Sequence, residues 1–355
     1  MKEFTIDTKK IGVEHPTYFI ADVGANHDGD LERAKDLIYL CAENGADAVK
    51  FQHFSAKTIV SDYGFKSLKG QQAHQSKWKK SVFDVYQQAS INIEWTATLK
   101  EICEKAGVTF FTSPYSLDLV DAVDPYVPAY KIGSGDITWA GIIEHIAKKN
   151  KPVLLASGAS TMQEVMAAMN IIQTHTQDIV LMQCNTNYVG EKINLHYINL
   201  NVLKTYAIMY PNVILGLSDH TFGHTTVLGA VALGARVIEK HFTDNNDREG
   251  PDHHFSMVPS TWKEMVERTR ELEYALGSSI KKVEDNEKET VIVQRRAIRA
   301  KHRLDKAHVL TENDIEILRP CPIDAISPFY LHEIIGKKIS TTIEAGDYLR
   351  WSNLS

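Results

Sequence analysis

The sequence predicts a (β/α)8 TIM barrel, a ring of eight parallel strands surrounded by helices, followed by a small second domain. Eight short runs of β-branched and other apolar residues recur along the chain, alternating with stretches of helical periodicity. Polar residues stand directly after almost every run, where the loops of a barrel converge on one face. An open, doubly wound sheet also alternates strands and helices, but the number of runs and the spread of these polar positions favour the barrel.

Each of the eight predicted strands is a short, mainly apolar run. In chain order they are Tyr18–Val23, Ala48–Phe51, Val108–Phe111, Ala129–Ile132, Val153–Ala156, Ile179–Met182, Val213–Leu217 and Arg236–Glu239. Segments such as LERAKDLIYLCAENG have the periodicity of amphipathic helices. The connection between Phe51 and Val108 is long, polar, aromatic and poorly periodic, and excursions of this kind often cover an active site or take part in assembly.

The sequence changes character after Leu276. The segment KKVEDNEKE is rich in charge, and a series of short strand and turn patterns follows it. We therefore predict a barrel domain over residues 1–277, a linker over 278–293 and a small domain over 294–355. A domain of about sixty residues is barely large enough to stabilise itself, so we expect it to pack against another surface.

The composition argues against several classes of protein. The 355 residues include 39 Lys and Arg against 45 Asp and Glu, and the resulting net charge of −6 argues against nucleic acid as the main partner. No apolar run is long enough to predict a membrane span. The four cysteines are scattered without a CxxC pair, which predicts a cytoplasmic protein without a disulfide framework or a zinc cage.

Two lysines lie at unusual places for a cation. Lys50 in ADAVKFQ and Lys131 in AYKIGSGD stand within or at the end of predicted strands, where an unpaired ammonium is costly. Their partners are either structural carboxylates or the phosphate and carboxylate groups of a ligand. The glycines at 133 and 135 and at 158 favour a ligand, because they let backbone amides approach an anion.

Two histidines end the last two predicted strands. His220 and His241 would lie on neighbouring strands, within reach of one divalent ion, although a third protein ligand is not evident. Two hydrogen-bonded histidines without a metal remain the alternative. Glu239 points to the same strand face as His241 and could bind a substrate hydroxyl or pair with one of the two lysines. Asp252, in the loop after the last strand, is a candidate acceptor for substrate hydroxyls.

These residues belong to motifs that resemble those of the sialic acid (nonulosonic acid) synthases. The similar stretches are FIADVGANHDGD, ADAVKFQ, FFTSPYS, PAYKIGSGD, GLSDHT, ALGARVIEKHFTDNNDREGPDHHFSM and EILRP, and they are spread over nearly the whole chain. The resemblance implies a TIM barrel with a C-terminal antifreeze-like (SAF) domain, in a domain-swapped homodimer. It further implies condensation of phosphoenolpyruvate with an N-acyl mannosamine-type sugar, which releases phosphate and forms a nine-carbon keto acid.

The resemblance also assigns residues to roles. It implies that His220 and His241 bind a divalent ion, with Mn²⁺ as the first choice and Mg²⁺ or Co²⁺ as alternatives. The residues implied to bind phosphoenolpyruvate are Lys50, Lys131, Ser113, Ser134 and Ser218. Those implied to bind the sugar are Gln52, Tyr188, Glu239 and Asp252, with Arg319 reaching in from the partner subunit.

The chain departs from the family pattern at three places. The first strand normally ends in Glu, the expected base; here Asp22 takes that place, so Asp22 and Glu239 are our predicted catalytic carboxylates. Ala156 stands where a serine is usual, and Ser157 could replace it as a phosphate donor. Thr186 aligns with the family's substrate-binding asparagine, for which Asn185 or Asn187 could substitute.

Two other functions fit parts of the pattern. A related phosphoenolpyruvate-condensing synthase of the octulosonate type would need a further basic cluster for a second phosphate, and the sequence has none that is evident. A carbohydrate-binding relative without catalysis would explain the departures at Asp22 and Ala156. The presence of both lysines and both histidines favours the enzyme.

Overall fold

The chain divides into two compact units, Met1–Gly277 and Ser278–Ser355. The computed structural model describes residues 3–68, 75, 78, 80–188 and 192–355. Within this described part, no helix combines the length and the apolar character needed to cross a membrane.

The first unit contains a parallel sheet that closes into a barrel. Its strands, preceded by a hairpin of β1 (Glu3–Ile6) and β2 (Lys9–Gly12), are β3 (Tyr18–Gly24), β4 (Ala48–His53), β5 (Thr109–Pro114), β6 (Tyr130–Ile132), β7 (Val153–Ala156), β8 (Ile179–Cys184), β9 (Ile214–Asp219) and β10 (Ala235–His241). Hydrogen bonding runs in the order β5-β4-β3-β10-β9-β8-β7-β6, and the end strands β5 and β6 contact each other. Each barrel strand overlaps one of the predicted runs, and the predicted fold is confirmed.

Helices surround this sheet. Those described in the first unit are α1 (Leu31–Glu43), α2 (Ala56–Ile59), α3 (Asp62–Ser67), α4 (Val82–Ala89), α5 (Thr96–Ala106), α6 (Leu117–Val123), α7 (Ala140–Ala147), α8 (Met162–Gln173), α9 (Val202–Met209), α10 (Thr225–Ala232) and α11 (Pro259–Leu276). In α1, Asp30 caps the first turn, and Leu37, Ile38 and Cys41 recur at helical spacing on the buried face. The helices thereby cover the outer face of the strands with one continuous apolar core.

A second, smaller core fills one end of the barrel. Ile20 of β3 and Ala48 of β4 pack there against Phe4 and Ile6 of the β1–β2 hairpin, which lies at the amino ends of the strands. Successive strand residues alternate between the two faces, so the residue two positions after Ile20, Asp22, faces the same interior. The interior is therefore apolar at the amino end and polar at the carboxyl end.

The second unit has its own core. It contains α12 (Lys288–Gln294), β11 (Ala297–Ala300), β12 (Ile315–Leu318) and α13 (Leu331–Ile334), and β11 pairs with β12 in antiparallel fashion. Ile298, Leu310 and Leu349 are fully buried within it. This core lets the unit be compact despite its small size.

Candidate active site

The carboxyl ends of the strands surround a cavity of about 390 Å³. Alternation along each strand turns the inward-facing polar residues toward it. Among the residues predicted from the sequence, those that line the cavity are Asp22, Lys50, Gln52, Ser113, Lys131, Ser134, Tyr188, Ser218, His220, Glu239, His241 and Asp252.

Asp22 and Lys50 form a buried ion pair on the neighbouring strands β3 and β4. The Oδ2 atom of Asp22 lies 2.6 Å from Lys50 Nζ and 2.9 Å from Gln52 Nε2, and the Gly24 N–H donates to Oδ1 at 3.0 Å. Burial raises the pKa of Asp22, but Lys50 and His241 outweigh it and lower this pKa to about 2. Burial also opposes the charge on Lys50, yet its pKa is raised because Asp22 lies beside it. Both groups are therefore ionised at neutral pH.

Lys131 and Glu239 form a second buried ion pair across the barrel interior. Lys131 Nζ lies 3.1 Å from Glu239 Oε1, and the Ser218 hydroxyl donates to the same oxygen at 3.2 Å. The other carboxylate oxygen, Oε2, is buried without a hydrogen-bond partner. Because an unsatisfied buried acceptor is costly, this oxygen is suited to accept a hydrogen bond from a ligand in the cavity.

His220 and His241 lie side by side, with ring centroids 5.5 Å apart. The Asn185 carbonyl oxygen lies 2.9 Å from His220 Nδ1, so Nδ1 carries the proton and Nε2 keeps its lone pair. Burial, reinforced by the neighbouring His241, lowers the pKa of His220 to about 4, so its ring is neutral at pH 7. The Nδ1 atom of His241 is buried and has no hydrogen-bond partner.

This histidine pair fits a divalent ion. A neutral imidazole whose other nitrogen is fixed by a carbonyl is the usual form of a metal-binding histidine. Across the described ranges, no group of three or more His, Cys, Asp or Glu forms a cage for a metal. The two imidazoles therefore suit an ion that completes its coordination with substrate or solvent oxygens, as at an open catalytic site.

The loop after β10 carries Asp252 to the cavity. The Met257 N–H donates to the His241 carbonyl at 2.8 Å and the Thr243 N–H donates to the Met257 carbonyl at 2.9 Å, which closes this loop onto the end of the strand. The Ala25 N–H donates to Asp252 Oδ2 at 3.0 Å. Gly24 lies beneath it with a φ of +53°, and a Cβ there would come within 2.7 Å of the same oxygen. Glycine is thus required where the end of β3 approaches the loop.

Two residues predicted for the site, Ser157 and Asn185, do not line the cavity. The Ser157 hydroxyl donates to the Met182 carbonyl and accepts from Tyr206, both at 2.9 Å, because position 157 faces outward after the inward-facing Ala156. Asn185 contributes its carbonyl to His220, but its side chain points to the Tyr197 carbonyl, 3.3 Å away.

The residues after Asn185 and the predicted arginine of the second domain lie as follows. Asn187 accepts a hydrogen bond from Asn194 at 3.3 Å, and Thr186, between the two asparagines, lines the cavity instead. Arg319 belongs to the second unit, where it follows β12 directly and is exposed.

The sequence left an aromatic wall of the cavity unpredicted. It consists of Phe54, Tyr86 and Tyr115, and the ring centroid of Phe54 lies 5.4 Å from that of Tyr86 and 6.2 Å from that of Tyr115. Tyr86 belongs to α4, in the long connection after β4, of which residues 69–74, 76–77 and 79 lie outside the described part. Asp136 also lines the cavity, and burial raises its pKa to about 6. Asp136 stands four residues after β6 and is one of the polar residues that follow the predicted strands.

Known protein families match most of the chain. The NeuB family matches residues 37–281, and the SAF domain matches residues 295–355. The N,N'-diacetyllegionaminic acid synthase of Legionella pneumophila is 32% identical over 98% of this chain and 97% of its own length. The pseudaminic acid synthase of Helicobacter pylori is 34% identical over 93% of this chain and 95% of its own length.

A solved structure extends the comparison to the fold. The N-acetylneuraminic acid synthetase of Leptospira borgpetersenii has a TM-score of 0.71 and 27% identity, over 82% of this chain and 95% of that one. The NeuB match covers more than half of the chain, and the similar proteins named above are synthases. The protein is therefore an enzyme of the NeuB family with a C-terminal SAF domain.

Proposed function

We propose that the protein condenses phosphoenolpyruvate and water with an N-acyl mannosamine-type sugar, such as N-acetylmannosamine or a 6-deoxy diacetamido analogue. The products are a sialic acid-type nonulosonic acid and phosphate. The observation that carries the proposal is the pair of buried lysines that share one cavity with two buried, neighbouring histidines. The names of the legionaminic, pseudaminic and sialic acid synthases support the reaction class.

The two lysines are suited to hold the anionic substrate. Phosphoenolpyruvate carries a carboxylate and a phosphate, and Lys50 and Lys131 supply two ammonium groups within the cavity. The hydroxyl of Ser113, 3.5 Å from Lys50, and that of Ser134 are further donors at the same face. Both ammonium groups are already buried and held in place by a carboxylate, so they are preorganised to bind the negative charge of the substrate.

The carboxylates are suited to bind the sugar and to move protons. The electron pair of the C2–C3 double bond attacks the aldehyde carbon and forms the new carbon–carbon bond, while the aldehyde oxygen takes up a proton and becomes a hydroxyl. Water adds to C2 and loses a proton. The C2–O bond to phosphate then breaks, and the new C2 hydroxyl loses its proton to leave the ketone. We assign the water proton to Asp22, and sugar hydroxyls to Glu239, Gln52, Tyr188 and Asp252. A divalent ion bound by His220 and His241, most simply Mn²⁺, would polarise the aldehyde oxygen.

Asp22 begins this cycle as a weak base. Its carboxylate accepts hydrogen bonds from Lys50, Gln52 and Gly24, and its pKa of about 2 reflects the adjacent ammonium. A substrate anion that engages Lys50 competes with Asp22 for this ammonium. The proton affinity of Asp22 therefore rises when the substrate binds.

The proposal includes a homodimer. Arg319 is exposed in the second unit and is the residue that we assign to the partner's sugar site. We keep the prediction of a cytoplasmic protein with a barrel domain over 1–277, a linker over 278–293 and a swapped domain over 294–355.

Phosphate release tests the proposed reaction. The purified protein with Mn²⁺ and phosphoenolpyruvate is offered N-acetylmannosamine, 6-deoxy diacetamido analogues, mannose or arabinose 5-phosphate, with and without a chelator. We expect release that depends on one N-acyl sugar, stops with the chelator, and yields an equimolar nine-carbon keto acid by mass spectrometry. Release that depends instead on arabinose 5-phosphate, or no release with any sugar from a folded protein, would contradict the proposal.

A further inference from the structure

A closed polar cluster lies directly behind the two histidines, on the outward face of the barrel. It consists of Asp219, Lys240, Thr221 and Thr226, which we call the Asp219 cluster, and each of its members is at most 4% exposed. Lys240 Nζ donates to Asp219 Oδ2 and, at 2.6 Å, to the Thr221 carbonyl. The hydroxyls of Thr221 and Thr226 donate to the same carboxylate oxygen at 2.8 and 2.7 Å. The cluster thus pairs one buried cation with one buried anion.

The chain places this cluster next to both imidazoles. Asp219 and Lys240 are direct partners in the ladder between β9 and β10, and each is followed by one of the two histidines. Since side chains alternate along a strand, the ion pair faces the helices while His220 and His241 face the cavity. None of the cluster residues lines the cavity.

The hydrogen bonds fix the backbone on both sides of His220. The Thr221 N–H donates to Asp219 Oδ1 at 3.2 Å, which forms a tight turn across His220. Lys240, which precedes His241, donates to the Asp219 side chain and to the Thr221 carbonyl. These two hydrogen bonds join the turn around His220 to the strand that carries His241. Backbone hydrogen bonds already join β9 to β10. The side-chain hydrogen bonds of Asp219 and Lys240 therefore do more than hold the strands together, because they fix the turn around His220.

We infer that Asp219 and Lys240 are positioning residues that set the separation and orientation of the two imidazoles for the ion that they share. The inference rests on the proposed function, because it takes His220 and His241 as the ligands. Residues that orient metal ligands through hydrogen bonds commonly alter metal affinity by about 10- to 100-fold when they are replaced. Lys50 and Lys131 lie outside the cluster, so the proposed anion site does not depend on it.

The test uses the double variant Asp219→Asn/Lys240→Met. It removes both charges together, because one buried charge left alone would strongly destabilise the protein. Isothermal titration calorimetry measures the affinity for Mn²⁺ and, in the absence of metal, the affinity for phosphoenolpyruvate. We expect Mn²⁺ affinity to fall about 10-fold or more, with phosphoenolpyruvate affinity essentially unchanged.

Thr269→Val is the matched control. Thr269 is fully buried and donates to the Met265 carbonyl within α11, so its replacement removes a buried hydrogen bond away from the histidines. Thr226→Val removes one hydrogen-bond donor from the Asp219 cluster. If the double variant does not fold, this milder variant tests the same role. We expect the two valine variants to melt at similar temperatures, with weaker Mn²⁺ binding only for Thr226→Val.

The outcomes distinguish a wrong positioning role from a wrong metal site. If the wild-type protein binds Mn²⁺ but the cluster variants bind it equally well, or lose both ligands in parallel, the positioning role is wrong and the proposed function stands. If the wild-type protein binds no divalent ion, the proposed metal site fails, and the inference fails with it.

Discussion

Replacement of Lys131 with Met is expected to lower kcat/KM for phosphoenolpyruvate by roughly 10³-fold. The ammonium lies 3.1 Å from Glu239 in the cavity, where we propose that it binds the substrate anion. The same change leaves the Glu239 carboxylate buried without its cation, which costs about 3–5 kcal/mol of folding free energy. Steady-state kinetics and urea unfolding measure the two effects.

A second replacement separates catalysis from stability. Lys131→Met/Glu239→Gln removes both charges, so we expect stability to recover while activity stays low. The matched control is Lys151→Met, since Lys151 is also ion-paired, at 3.0 Å from Asp124, but lies away from the cavity. Near-normal kcat/KM for Lys131→Met would show that this lysine has only a structural role.

Replacement of His220 with Ala is expected to abolish measurable Mn²⁺ binding and to reduce kcat by about 10³-fold or more, because a Lewis acid contributes several kcal/mol to carbonyl polarisation. The ring is neutral, and its Nδ1 donates to one carbonyl, so we expect the protein to stay folded. Calorimetric titration with Mn²⁺ and circular dichroism check the two expectations.

A histidine in the loop after β10 provides the control. His254 is exposed and contacts Phe222 edge-on, with ring centroids 6.3 Å apart. We expect His254→Ala to bind Mn²⁺ as the wild-type protein does. If His220→Ala also bound Mn²⁺ normally, the ion would belong elsewhere in the protein and the assignment of the histidine pair would be wrong.

The sequence predicted the barrel because its signals are local. Each strand is a short apolar run, and inward alternation places Asp22, Lys50 and Glu239 on one face. The β1–β2 hairpin was not predicted, since EFTI and KKIG are short and carry polar residues. Their burial becomes evident only when Phe4 and Ile6 pack into the amino end of the barrel.

The site was predictable where strand alternation decides it and less so in the loops. Ser157 was assigned by its place after β7, but its hydroxyl faces Met182 and Tyr206 because the preceding residue takes the inward position. The wall formed by Phe54 and Tyr86 depends on how the long connection after β4 folds back, which no periodic pattern encodes. The ion pairs depend on distances between strands that are far apart in sequence.

The most direct test of the account is a crystal structure of the protein with phosphoenolpyruvate and Mn²⁺. We expect an anomalous peak for manganese between His220 and His241, with the phosphate and carboxylate of phosphoenolpyruvate against Lys50 and Lys131. Manganese or phosphoenolpyruvate bound outside this cavity, with the cavity itself free of both, would contradict the account.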